Sequence, residues 1–326
     1  MKKIIATALA SLYCMILKIS QASYRYVPLS IQKVPARVVS VGNITWGGTG
    51  KTPLVAWLAL EIASSGKKVA VLTRGYGKDE VAELRKKLPN IPVLVGRDRI
   101  KTAKEAVRKF QSEILLLDDG FQHIRLHRDL DVVTINVTDP FGPGGLIPLG
   151  TLREPVEHLS RANIFVLTKS NLGFENVHWI RQRLLSIKPN AVIFEAVHAP
   201  IQFMDFRRNR FVSLQNIQGK KIGVISAIGD PHSFEKTLEN LGAEIQFAAR
   251  FQDHHLASSS EFADFLKRCK EVGLKDIVTT EKDFYRMEPF FKRQGPRDTQ
   301  NFNFLVLQIS FQVDNEEDFI RRCLNP

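Results

Sequence analysis

From residue 37 onward the apolar residues of this chain gather into short unbroken blocks. They are RVVSVGNI (37–44), KKVAVLT (67–73), IPVLVG (91–96), SEILLLDDG (112–120), LDVVTINV (130–137), ANIFVLTK (162–169) and NAVIFEAV (190–197). They are rich in β-branched residues and run nearly continuously apolar, so each reads as a strand buried on both faces. Between them, KTPLVAWLALEIASSG (51–66) and DRIKTAKEAVRKF (98–110) carry helical spacing. Gly66 closes the first, and Asp98 opens the second as an N-cap. Alternating strand and helix predict a mainly parallel sheet covered by helices on both faces.

Around 198–221 the pattern turns polar and irregular, with a hairpin across Arg207–Arg210 as one way to make the junction. Beyond it IGVISAIGDP, EIQFAARF, KDIVTTEKD and FNFLVLQISF form a second strand–helix series. The expected organisation is an N-terminal segment (1–30), a first α/β domain (31–197), a junction (198–221) and a smaller second α/β domain (222–326).

The N-terminal segment has its own pattern. Lys2 and Lys3 precede an apolar run in which Ile5, Leu9, Leu12, Ile16 and Ile19 fall on one helical face, and Lys18, Arg25, Lys33 and Arg37 follow. The run is shorter than the roughly 20 residues a membrane span needs. An amphipathic helix lying in the membrane interface, its basic residues toward anionic headgroups, fits these positions. A helix packed on the protein itself, or a signal peptide cut after SQA (20–22), are the alternatives.

Composition narrows the partners. The 326 residues include 46 Lys+Arg against 34 Asp+Glu, a formal charge of +12, which favours anionic partners. No aromatic–basic single-strand motif or helix-turn-helix signature is present, so nucleic acid is not the expected partner. Three well-separated cysteines (Cys14, Cys269, Cys323) lack zinc or CxxC spacing and suit a reducing compartment.

The clearest chemistry lies in VGNITWGGTGKTP (41–53), between a strand and an amphipathic helix. Gly50, Lys51 and Thr52 stand at the offsets of a Walker A loop, with Thr45 in place of its first glycine. Thr45, Trp46, Gly47, Gly48, Thr49, Gly50, Lys51 and Thr52 would cradle the phosphates of a nucleotide on backbone N–H groups and the helix N-terminus. Lys51 would reach the terminal phosphates, and the Thr52 hydroxyl would bind Mg²⁺. A P-loop NTPase-type domain also needs an acidic metal partner at a strand end, and EILLLDDG supplies Asp118 and Asp119. LTKSN (167–171) lacks the terminal Asp of a guanine reader, which favours ATP over GTP.

Together, VGNITWGGTGKTP, LTRGYG (72–77), LDDGFQH (117–123), LREP (152–155) and DHH (253–255) resemble, in order and spacing, the tetraacyldisaccharide 4'-kinases of Gram-negative lipid A synthesis. The resemblance extends to TTEKD (279–283), and the family likewise carries Thr at the first Walker position. It implies an enzyme on the cytoplasmic face of the inner membrane, held by its N-terminal helix. Its reaction passes the γ-phosphate of ATP to the 4'-hydroxyl of an acylated glucosamine disaccharide 1-phosphate, giving lipid IVA.

The same resemblance implies roles for single residues. Asp79 would be the base, although Val81 stands where the family has Pro; Asp98 is the next candidate. His254, beside Asp253, would assist the base, and a His254 that reaches Asp79 would put the site between the domains. Arg153 would steady the transferring phosphoryl group, and Glu154 would complete the Mg²⁺ shell with Thr52, Asp118 and Asp119. Arg74 and Tyr76, then Gln122 and His123, lie at further matching positions. Two other readings stay open on the residues alone: a soluble P-loop kinase of a small metabolite, and a nucleotide switch or metallochaperone.

Overall fold

The computed structural model describes residues 10, 13, 15, 31–75, 78–252, 258–284 and 301–325, with the side chains of 78–80 and 259 outside that description. The chain forms two compact units. One runs to Val197 and resumes at Phe311; the other is His198–Ser310. Residues 311–326 thus belong to the first unit, after the chain has passed through the second.

In the first unit the strands are β1 (Arg37–Gly42), β2 (Val69–Thr73), β3 (Val93–Val95), β4 (Ile114–Asp118), β5 (Leu130–Asn136), β6 (Ile164–Thr168) and the start of β7 (Val192–Asp205). They lie in the order β7-β6-β5-β1-β4-β2-β3, each neighbouring pair parallel. Every residue of β2, β4, β5 and β6 is buried, as the unbroken apolar blocks require. The helices are α1 (Lys51–Ser64), α2 (Lys78–Lys87), α3 (Arg99–Phe110) and α4 (Phe174–Ile187). α3 begins at the expected cap, Asp98. α2, built on the charged KDEVAELRKK, has no counterpart among the predicted elements.

Both faces of this sheet are covered. On one, Leu54, Val55, Leu58 and Ile62 of α1 are fully buried against Val39 and Val41. Their burial is worth about 6–12 kcal/mol as an upper bound. On the other face Ala103 and Ala106 of α3 meet Leu115 and Leu117, while Ile180 and Leu184 of α4 meet Phe165 and Leu167.

The C-terminal helix α7 (Glu316–Leu324) belongs to the α1 face. Phe319 is fully buried, with ring centroids 5.9 Å from Trp57 and 5.1 Å from Phe194. Arg37, at the start of β1, donates to the carbonyls of Arg322, Cys323 and Asn325, satisfying the orphan acceptors of that helix end.

In the second unit β9 (Lys221–Ser226), β10 (Glu244–Arg250), β11 (Asp276–Thr280) and β12 (Asn303–Val313) order as β10-β9-β11-β12, all parallel. α5 (Pro231–Asn240) and α6 (Ser259–Glu271) supply core residues to separate clusters. The far end of β7 turns into β8 (Arg210–Val212), pairing Asp205 with Arg210, so a hairpin does span the arginine-rich stretch. Among the described residues no helix is long and apolar enough to cross a membrane.

Candidate active site

β1 lies between β4 and β5: β2, β3 and β4 lie on one side of it and the chain then crosses to β5 on the other, and the crevice at such a reversal is where open α/β sheets bind ligands. The register sets Val41 beside Asp118, bringing the ends of β1 and β4 together. Gly42 permits this approach: a Cβ there would stand 2.5 Å from the Cβ and 2.7 Å from the backbone nitrogen of Phe121.

The loop from Asn43 enters α1 through Gly47 (φ 123°) and Gly50 (φ 80°), both in conformations that suit glycine. No side chain caps α1 and no acidic residue sits in its first turn. Its positive dipole end is therefore not neutralised by a carboxylate of its own first turn, which suits an anion. Thr52 lies in that first turn, half-buried.

Residues of three neighbouring strands or the turns after them hold this loop. Asn43 Nδ2 donates to the Thr45 carbonyl (2.6 Å) and to Thr49 Oγ1 (2.8 Å). Thr134 of β5 donates to Thr49 Oγ1 (3.1 Å), and Thr168 at the end of β6 donates to the Thr49 carbonyl (3.0 Å). Lys169 Nζ donates to the Gly48 carbonyl (3.2 Å) from a left-handed backbone (φ 59°). From outside, Trp46 N–H donates to the Thr151 carbonyl and Arg153 N–H to that of Ile44, while the Trp46 ring is 72% exposed.

Asp118 is buried at the end of β4, where Oδ2 accepts from Thr73 (3.3 Å) and its carbonyl accepts from Arg99 (3.2 Å). Asp119 follows with φ 55°. Arg153 grips its carboxylate with two hydrogen bonds, 2.6 and 3.1 Å, and Lys51 Nζ stands 3.8 Å from the same group. Burial alone would raise this carboxyl, but Lys51 and Arg153 hold it below the ordinary range. Lys51, Asp119 and Arg153 thus form one charged cluster beside the phosphate loop.

Glu154 is almost wholly buried. Oε1 accepts from Gln122 (2.8 Å); Oε2 takes His158 (2.9 Å) and Arg161 (2.8 Å). Burial pushes its pKa up; His158, Arg161 and Gln122 outweigh that and keep it low. Gln122 also donates to the Asn43 carbonyl (2.8 Å), which ties this hub to the loop. The Arg161 guanidinium lies 4.4 Å over the Phe121 ring. His123 is driven down to about 4, first by burial and then by Arg99, Arg128 and Arg125, so its imidazole is neutral.

The side chain of Asp79 and the whole of Tyr76, Asp253, His254 and His255 lie outside the described residues; the backbone of Asp79 is in the first turn of α2. Asp98 is exposed and occupied as a cap, accepting from Ile100 N–H and Lys101 N–H, and the Lys101 bond leads in lowering its pKa. Asn43, Thr134, Thr168 and Lys169, none of them assigned a role from the sequence, hold the site together. Asn43, Thr168 and Lys169 end or directly follow a buried strand, whereas Thr134 lies within β5.

The chain is similar to known proteins over nearly its whole length. A family model described as LpxK, tetraacyldisaccharide-1-P 4'-kinase, matches residues 2–325. A tetraacyldisaccharide 4'-kinase of Halothermothrix orenii is 32% identical over 96% of this chain and 90% of its own length. One from Elusimicrobium minutum is 36% identical over 88% and 81%. The crystal structure of LpxK from Aquifex aeolicus, an "apo" form in complex with ATP, superposes over 100% of both chains with a TM-score of 0.70 at 26% identity. On the extent of these matches, the chain belongs to the tetraacyldisaccharide-1-phosphate 4'-kinase family.

Proposed function

We propose that this protein transfers the γ-phosphate of ATP to the 4'-hydroxyl of a tetraacyldisaccharide 1-phosphate, forming lipid IVA at the cytoplasmic face of the inner membrane. The observation that carries the reading is the cluster of Lys51, Asp119 and Arg153 beside an uncapped helix N-terminus. Such an end, entered through two left-handed glycines, suits a polyphosphate. Lys51 then neutralises the outer phosphates, and Arg153, held in orientation by Asp119, stabilises the charge of the group in flight.

The donors also suit Mg²⁺, which prefers oxygen ligands from one or two carboxylates plus substrate phosphates. Asp118 and the Thr52 hydroxyl would hold it. Bound there, the ion would neutralise phosphate charge. No larger cage exists among the described residues: no group of three or more His, Cys, Asp or Glu could hold a metal. Glu154, whose two oxygens already accept three hydrogen bonds, serves instead to fix Gln122, His158 and Arg161 around the loop.

A sugar hydroxyl needs a base, worth about 10²–10⁴-fold. We assign that role to Asp79, assisted by His254, on the motif positions alone. The amphipathic stripe of residues 5–19 and the +12 charge support a membrane-surface location, where the lipid acceptor resides.

The test is transfer of labelled γ-phosphate from Mg-ATP to purified tetraacyldisaccharide 1-phosphate in detergent. A doubly phosphorylated lipid should form, and should be absent with Lys51→Ala. ATP turnover without labelled lipid would overturn the reading. Asp79→Asn should abolish transfer while leaving ATP binding intact; retained transfer would remove Asp79 from the mechanism.

A further inference from the structure

The N-terminal segment does more than precede the kinase unit. Ala10, Tyr13 and Met15 have helical backbone. Ala10 is 6% exposed and Tyr13 half-buried, while Met15 is 52% exposed. Residues three apart share a helix face and residues two apart do not. The 10/13 face is therefore turned to the protein and position 15 away from it. On an ideal helix Ala10 also lies roughly opposite the apolar stripe of the sequence (Ile5, Leu9, Leu12, Ile16).

At the inward face the Tyr13 hydroxyl donates to the Arg153 carbonyl at 2.9 Å, across 140 residues of sequence. That carbonyl belongs to the peptide joining Arg153 to Glu154. One side chain of the pair grips Asp119 and reaches Asn43; the other organises Gln122, His158 and Arg161. On its upstream side the same backbone is already tied to the phosphate loop through Arg153 N–H and the Ile44 carbonyl at 2.7 Å. Tyr13 supplies the second tie, from a different element. The phenol feels both charges: burial raises its pKa, Arg153 lowers it and Glu154 raises it again.

We infer that Tyr13 is a positioning residue for phosphoryl transfer, whose hydroxyl helps hold Arg153 in its grip on Asp119. The inference rests on the kinase reading above. An enzyme built this way works fastest with Tyr13 on that carbonyl, so a residue within the stretch whose sequence suits a lipid surface also tunes the site that uses a lipid.

Tyr13→Phe removes the hydroxyl and keeps the ring. In the full chain, with labelled transfer measured in detergent, kcat should fall about 2- to 10-fold, the range one hydrogen bond commands. KM for ATP, melting temperature and co-sedimentation with phosphatidylglycerol-containing vesicles should not change. Because Tyr13 acts through Arg153, the same substitution in an Arg153→Lys background should alter kcat by less than about twofold. An unchanged kcat, a fall matched by lost vesicle binding, or full additivity with Arg153→Lys would each overturn the inference. Wild-type protein that labels no lipid would sink the kinase reading itself, a result distinct from any of these.

Discussion

Arg153 and Asp119 are the residues on which the site's charge balance turns, and their neighbour His123 shows how strongly the surroundings are biased. Three arginines and burial hold the His123 imidazole neutral down to about pH 4, whereas an unfolded chain protonates it near 6.5. Between those values the unfolded state binds a proton the folded state refuses, so stability falls as the pH drops through that window and levels off below it. His123→Asn should remove this part of the acid sensitivity. Urea denaturation of both proteins at pH 7, 5.5 and 4.5 checks it, and parallel losses in the two would refute it. Asp119 and Glu154 behave differently. Their lowered values mean that the stability they contribute is whole above the ordinary carboxylate range, near pH 4, and is lost only as the pH falls further. Lys51, Asp118 and Asp119 were legible from the loop motif and the acidic strand end, and Arg153 from the family resemblance of LREP. Asn43 and Thr134 were not, and Thr168 and Lys169 stood out only within LTKSN, as a departure from a guanine reader, because a polar residue in or after a strand acquires meaning only from which strand lies beside it.

The elements were easier to read than their partnerships. Unbroken apolar blocks marked the strands of both units, since a strand buried on both faces leaves no other pattern. α2 escaped because KDEVAELRKK has too few apolar residues to display a period, and Leu84, with Leu88 just beyond the helix, does most of its docking. The junction of β1 with the turn after β4 illustrates what pattern cannot convey. Gly42 reads as one more position of the first strand block, yet its lack of a side chain is what lets Phe121 settle against it. Gly42→Ala should destabilise the protein by about 1–3 kcal/mol, the cost of overpacking a closed core. Because Phe121 opens the stretch that carries Gln122, ATP affinity should fall as well. A denaturation midpoint and nucleotide affinity equal to wild type would show that the turn yields more readily than its packing implies.

For the whole molecule, the informative feature is that Phe311 to Leu324 complete the first unit after the chain has built the second. Sequence pattern could not reveal this, because β12 reads as one continuous apolar run with no sign that its far end enters another core. Deleting residues 311–325 should leave Trp57 and Phe194 without Phe319, and Arg37 without the carbonyls it caps. The expected result is loss of cooperative unfolding together with binding of the dye ANS to exposed apolar surface. A fragment that melted like the intact protein would contradict it. The same arrangement also governs synthesis. A ribosome making 5–20 residues each second delivers the phosphate loop, Asp119 and Arg153 early, then spends roughly ten seconds on the other unit before the sealing helix emerges. During that interval the nascent kinase unit presents the uncovered α1 face to whatever chaperone or membrane surface is nearby, while the later-born unit, continuous in sequence, can close first.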